Sequence, residues 1–354
     1  MPAKPKNKKP AKKQDPAEEK PKKKIDMFAA VTASLQKEYG ATAAVMPTDS
    51  EMIRSRIGKY NIIPSGSLSY DRMTGIGGIP KGRIMEVFGP YGAGKTGTLI
   101  CFAAAAQRLG YYVVFIDVEH RLDVAYADRL GMRRDKDWSL ILPQSSDMVF
   151  NAVDRYIRTG LPVFVVMDSV SALVSRAEQD RDWAKAKSPG VLAAAMSTFL
   201  KRVNPSVSKS GSVLAFANQD RMAITSFGGY KTETGGKALP YYSTHRMGIK
   251  KGDEIVEDGV RLGFYMEMKF KKTNTSAAPS ARKICFKYNH GFWREEELVQ
   301  IGIQENIIDK AGAWFTYDDV KVQGKEAMRT VFESDKKLAN KIEKEIRKAW
   351  GMIA

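Results

Sequence analysis

Residues Gly89-Pro-Tyr-Gly-Ala-Gly-Lys95-Thr96 fit G-x-x-x-x-G-K-[ST] and stand between an apolar strand, Ile84–Phe88, and an apolar helix, Lys95–Leu109. No other feature of the chain constrains its fold as much. The glycines let successive backbone N–H groups turn toward one point, and the helix N-terminus adds partial positive charge there. Such a loop is built for phosphate oxygens. Lys95 supplies a point charge for the terminal phosphates, and the Thr96 hydroxyl suits a magnesium ion. Gly89, Pro90, Tyr91, Gly92, Ala93, Gly94, Lys95, Thr96 and Gly97 are the expected cradle for ATP with Mg2+.

The pattern beyond the loop fits the same architecture. Strand Tyr111–Asp117, helix Val124–Leu130, strand Ser139–Leu142, helix Asp147–Thr159, strand Val163–Asp168, helix Val191–Val203 and strand Ser212–Asn218 follow in turn. Apolar strands separated by helical patterns mean βαβ units and a mostly parallel sheet. Further strands, antiparallel, are expected at Arg261–Lys271 and Arg282–Tyr288, with a helical lobe from about Lys321. Ligands of such sheets sit at the carboxyl ends of the strands. Val163-Phe-Val-Val-Met-Asp168 therefore brings Asp168 toward the magnesium and its waters. Phe115-Ile-Asp-Val-Glu119-His120 brings a carboxylate that polarises a water for in-line attack. Glu119 is favoured because it lies further past the strand. Asp117 competes with it, and His120 reads as a capping or packing histidine.

Charge points to the partner. The 354 residues carry 57 Lys+Arg against 40 Asp+Glu, a net +17, so nucleic acid is the first partner class to consider. Met1–Lys24 holds ten lysines and three acidic residues. It has too little apolar surface to offset its chain entropy and is expected to be a disordered basic arm. Met27, Val31, Leu35 and Tyr39 form one apolar helix row, stopped by Gly40, ahead of the main body. That helix suits docking on a neighbouring subunit. The expected organisation is a 1–24 arm, a 25–62 helix and linker, a 63–320 core and a 321–354 lobe. Two cysteines, Cys101 and Cys285, are too few for a disulfide framework and lack metal-ligand spacing, so both read as buried thiols of a reducing, cytoplasmic compartment. Apolar runs of about eight residues are far short of a membrane helix, and the basic N-terminus has no secretory apolar stretch after it.

Taken together, Ser65-Gly-Ser-Leu-Ser-Tyr-Asp71, the phosphate loop, Phe115–Asp123, Met167-Asp-Ser-Val-Ser-Ala-Leu173, Asn218-Gln-Asp-Arg-Met222, Thr234-Gly-Gly-Lys-Ala-Leu239 and Asp309-Lys-Ala-Gly-Ala-Trp314 make the chain resemble the RecA-type recombinases. The likeness runs from about Met27 to Thr330. It implies an α/β fold: a RecA-like P-loop ATPase core with a mostly parallel central sheet, an N-terminal oligomerisation helix and a small C-terminal lobe. The implied function is an ATP-dependent recombinase that polymerises on single-stranded DNA, pairs it with homologous duplex and exchanges strands. A ring helicase of the same superfamily is the competing reading, and the helix before the core favours a filament.

By the same resemblance Glu119 activates the hydrolytic water, and Asp123, Tyr126 and Tyr288 contact adenine. Gln219 senses the γ-phosphate and opens the second DNA loop, Asp220–Gly236, whose four glycines leave it mobile until something orders it. Its expected DNA contacts are Arg221, Met222, Ile224, Phe227, Gly235, Gly236 and Lys237. In the first loop, Glu178–Pro189, the chain departs from the family's acidic stretch. There Trp183 with Lys185 and Lys187 suits stacking and phosphate contact. Lys201 and Arg202 match a backbone contact on the next helix. The family's Lys-x-Lys pair, which reaches a neighbour's γ-phosphate, falls on Lys272, with Lys271 reached by a shift of register.

Overall fold

The computed structural model describes residues 29–38, 61–133, 137–179, 190–222, 231–233, 236–275 and 281–352, and the chain divides into two units, Met1–Asn61 and Ile62–Ala354. In the first unit residues 29–38 are helical. Val31 and Leu35, one turn apart, are 57% and 39% exposed, so the apolar row is uncovered. Met27, Tyr39 and the lysine-rich arm lie outside the described residues.

The second unit is built on a sheet of β1 (Ile84–Gly89), β2 (Tyr112–Asp117), β3 (Trp138–Ile141), β4 (Val163–Asp168), β5 (Val213–Met222), β6 (His245–Glu257), β7 (Val260–Thr273), β8 (Ala281–Lys287) and β9 (Gly291–Phe292). Their spatial order is β9-β8-β7-β6-β1-β5-β4-β2-β3, with a short strand, Lys231–Glu233, on the end of β5. From β6 to β3 the neighbours are parallel; β6 to β9 are antiparallel. The two expected antiparallel strands fall within β7 and β8. β6 was not legible in the sequence, because Lys250, Lys251, Gly252 and Asp253 interrupt its apolar half.

The strands' alternating sides feed two cores. Val113, Phe115, Phe164, Val166, Ala215 and Ala217 face α2 (Lys95–Arg108), which is buried from Gly97 to Gln107. Val114, Ile116, Val165, Met167, Leu214 and Phe216 face α4 (Ser146–Arg158) and α5 (Val191–Ser210). On the α2 side lie also α1 (Leu68–Met73), ahead of the loop, and α3 (Val124–Arg129), beyond β2, which give Tyr70, Met73 and Ala127 to the first core. The helices of 321–354, α7 (Lys325–Ser334) and α8 (Lys336–Ala349), share a third core with α6 (Arg294–Gln304) and with a three-stranded sheet over Asp309–Gln323. α6 and most of that sheet precede the boundary expected at about Lys321. Packing, and not a change in composition, gathers that lobe.

Cys101 and Cys285 are buried free thiols, as expected. Among the described residues no helix is long and apolar enough to cross a membrane.

Candidate active site

Four strand ends and one helix start converge on a pocket of about 330 Å3. Its floor is the glycine-rich loop. Gly94 caps α2 at φ +94, a conformation that L side chains avoid, and a Cβ there would stand 2.5 Å from Met266 Cε. Only glycine fits. Ala93 is buried beneath the turn, whereas Tyr91 at its tip is 87% exposed. Lys95 folds back over the loop and donates from Nζ to the carbonyls of Gly89 (2.9 Å) and Pro90 (2.8 Å). Next to it the Thr96 hydroxyl donates to Asp168 Oδ2 at 2.5 Å, which joins the start of α2 to the end of β4.

The carboxylates sort themselves by their partners. Asp117 ends β2 buried, and its Oδ2 accepts the Leu122 amide at 2.8 Å, so it is spent on the turn. Glu119 stands two residues further on, at the pocket wall. Its Oε1 accepts from Ser169 Oγ (2.7 Å) and from Gln219 Nε2 (3.3 Å), and Arg121 lies 3.6 Å from Oε2. Burial pushes the Asp168 carboxyl up, the Thr96 hydroxyl opposes that, and the negative charge of Glu119 adds to it. His120 is exposed at φ +55 and neither caps nor packs, contrary to expectation.

At the other end the pocket is aromatic. Tyr126 of α3 and Tyr288, in the turn after β8, line it together with Phe264 and Phe286, and Gly97 lies beneath the Phe286 ring. Burial pushes the Tyr126 hydroxyl up. Lys251 donates to the Tyr288 hydroxyl at 3.3 Å. Phe264 and Phe286 escaped the sequence reading: a lone aromatic on an alternating strand looks like any core residue. Asp123 does not line the pocket. It caps α3 by accepting the Ala125 amide (2.8 Å) and pairs with Arg129.

The expected DNA-contacting segments end close together. Trp183, Lys185, Lys187, Ile224, Phe227 and Gly235 lie outside the described residues. Yet Gly190, where the first loop closes, caps α5, and Gly236, closing the second, packs so tightly on Ala193 that a Cβ would meet that methyl at 2.7 Å. Arg221 and Met222 end β5 in register with Thr232 and Lys231, and Lys237 is exposed just beyond Gly236. Lys201 and Arg202 are exposed on α5, the latter paired with Asp154 of α4 at 3.0 Å. Neither Lys271 nor Lys272, the lysines expected to reach a neighbour's phosphate, lines the pocket of its own chain. Lys272 donates to the carbonyls of Pro240 (3.1 Å) and Tyr241 (2.7 Å), and burial and then Arg246 lower its pKa. Lys271 stands over Phe88, beside a separate groove of about 590 Å3 that also touches Gly89 and Pro90.

The family model for the RecA N-terminal domain matches residues 26–292, and that for the RecA C-terminal domain matches 296–351. A curated relative from Bordetella pertussis, Protein RecA, is 33% identical over 341 residues, which covers 94% of this chain and 93% of the relative. Protein RecA of Thioalkalivibrio sulfidiphilus is 34% identical over 330 residues, 90% of this chain and 92% of the relative. With the phosphate loop, strand-end carboxylates and aromatic wall in one pocket, and both domains matched in order, the chain belongs to the RecA family, as a DNA-dependent ATPase and recombinase of DNA recombination and repair.

Proposed function

We propose that the pocket binds ATP with Mg2+ and that its hydrolysis is coupled through Gln219 to single-stranded DNA held by the two loops. The observation that carries this is the Gln219–Glu119 hydrogen bond, since Gln219 sits on β5, the strand that runs directly into the second loop. Glu119 takes the proton of a water aligned with the bond to be broken, and Gln219 shares its carboxylate until a γ-phosphate draws the amide away. Lys95 exchanges two backbone carbonyls for phosphate oxygens. Thr96 and Asp168 would hold a magnesium ion, which takes few protein ligands alongside substrate phosphates and water, and the ion would supply charge neutralisation there. Tyr126 and Tyr288, with Phe264 and Phe286, sandwich the base.

In this reading the active form is a helical filament on single-stranded DNA that then engages duplex. Helix 29–38, with Val31 and Leu35 uncovered, is the piece handed to the next subunit. Among the described residues β3 pairs only with β2, and its other edge carries exposed Leu140 next to Leu142. Lys271 and Lys272 serve a neighbour's nucleotide, which fits their position outside the pocket of their own chain. The test is ATP turnover with and without single-stranded DNA, alongside DNA affinity with and without a slowly hydrolysed analogue. Gln219→Ala should keep nucleotide binding and lose the link between the two. A parent protein that binds DNA equally well with and without nucleotide would end this account.

A further inference from the structure

Behind Gln219 the sheet holds a buried polar cluster that the phosphate chemistry does not use. Glu86, in the middle of β1, is 0% exposed, and Asn218 and Arg246 beside it are 2% and 6% exposed. Register brings them together. Arg246 stands directly opposite Glu86 across the parallel β1–β6 pair, and Asn218 is two residues along on β5, opposite Phe88. Arg246 Nε donates to Glu86 Oε2 at 2.5 Å, and Asn218 Nδ2 donates to Glu86 Oε1 at 2.8 Å. The Asn218 amide is thereby oriented, and its Oδ1 accepts the backbone N–H of Gln219 at 2.9 Å. Gln219 in turn donates to Glu119. The Arg246 guanidinium also lies 5.3 Å from the centre of the Phe88 ring, at the root of the phosphate loop.

A fully buried carboxylate in a central strand costs stability unless it is paired and hydrogen-bonded, and an apolar residue would fill the position more simply. Both oxygens of Glu86 are satisfied, and one of them holds the side chain that fixes the next residue's backbone. We infer that Arg246, Glu86 and Asn218 are positioning residues. The ion pair locks the Asn218 amide one way round, and Asn218 sets the angle at which Gln219 meets Glu119. The relay acts on hydrolysis and on its response to DNA, and it leaves nucleotide affinity alone, because none of the three lines the pocket. This inference rests on the roles given to Glu119 and Gln219 above.

The experiment compares full-length parent, Asn218→Ala, Asn218→Asp and the swap Glu86→Gln with Asn218→Asp. The readouts are affinity for a non-hydrolysable ATP analogue, DNA-stimulated turnover and melting temperature. Asn218→Ala should bind the analogue within about threefold of the parent and lose roughly 10–100-fold in turnover, the scale expected of a reacting group displaced by about 1 Å. Asn218→Asp sets two carboxylates against each other and should lose as much. The swap puts an amide back against a carboxylate, keeps an acceptor for the Gln219 N–H and should recover at least tenfold. A merely structural cluster would move melting temperature, affinity and turnover together. The relay is wrong if Asn218→Ala turns over at the parent rate, if affinity falls in step with turnover, or if the swap recovers nothing. Glu119→Gln and Gln219→Ala separate the two levels. If both are inert, the reading of the site fails. If both are impaired while Asn218→Ala is not, the relay alone fails.

Discussion

Single side chains with defined partners carry the chemistry, and each can be removed on its own. Lys95 donates to the carbonyls of Gly89 and Pro90, contacts it can exchange for phosphate oxygens. Lys95→Ala should weaken ATP binding about 10–100-fold, the value of one hydrogen bond to a charged group, as read by calorimetry. Glu119→Gln should keep ATP bound and slow hydrolysis by about 10²–10⁴, because an amide cannot accept the water's proton. Turnover at the parent rate would hand the role to another group, and Asp117 is poorly placed for it, its Oδ2 being held by the Leu122 amide. Far from the site, Glu297 of α6 accepts from Ser67 Oγ (2.8 Å) and the Leu68 amide (2.8 Å), yet burial pushes its carboxyl from 4.5 up to about 7. The folded state therefore binds this proton more tightly than the unfolded chain. The stability linked to it is full below pH 4.5 and is lost as pH rises through about 7. Glu297→Gln should remove that slope, and urea unfolding at pH 5 and pH 7 should show the parent losing on the order of 1–3 kcal/mol more than the variant over that interval.

Among the elements, helix 29–38 and strand β5 are the two to which the proposed filament and coupling assign a part. The helix belongs to a unit separate from Ile62–Ala354, which has its own cores, so charging its apolar row should leave the ATPase unit folded. Each fully buried aliphatic side chain contributes about 1.5–3 kcal/mol, so two of them buried at each proposed subunit junction would weigh heavily in polymerisation. Val31→Asp with Leu35→Asp should leave the melting temperature of the main unit within a few degrees. Electron microscopy with single-stranded DNA and a slowly hydrolysed analogue should show no filaments. Ordinary filaments from that variant would move the junction elsewhere. Strand β5 was legible by its apolar run, but its use was not. Ten residues long, it has Asn218 at its root, Gln219 at the pocket and Arg221 and Met222 at the loop, so one element touches the buried ion pair, the carboxylate and the DNA segment.

For the whole molecule, charge is unevenly placed. The segment Met1–Lys24 carries a net +7 of the chain's +17 in ten lysines and three acids. Lysines on such a segment contact phosphates without reading bases. Each phosphate neutralised adds about 0.7 to the log–log salt slope on single strands, so engagement of half the lysines steepens it by about 3–4. Removing Met1–Lys24 should flatten the salt dependence by that amount, weaken binding at low salt and leave the DNA-saturated ATPase rate nearly unchanged. Parallel salt curves for full and truncated proteins would show that the arm does not touch DNA.

What the amino-acid order determined by itself is whatever a short window can hold. The phosphate loop between strand and helix, the carboxylates Glu119 and Asp168 at strand ends, the parallel alternation and the apolar row of 31 and 35 are all local patterns of turn residues and period. Tertiary structure decided the rest, because the decisive partners are far apart in the chain. Whether Asp117 or Glu119 faces the pocket depends on an amide at 122. Phe264 and Phe286 reach it only through the register of an antiparallel pair. Gly190 caps α5, and Gly236 packs on Ala193 of that same helix. Glu86 found Arg246 across 160 residues. A buried charge is stable only where its partner is delivered, and only the folded sheet delivers it.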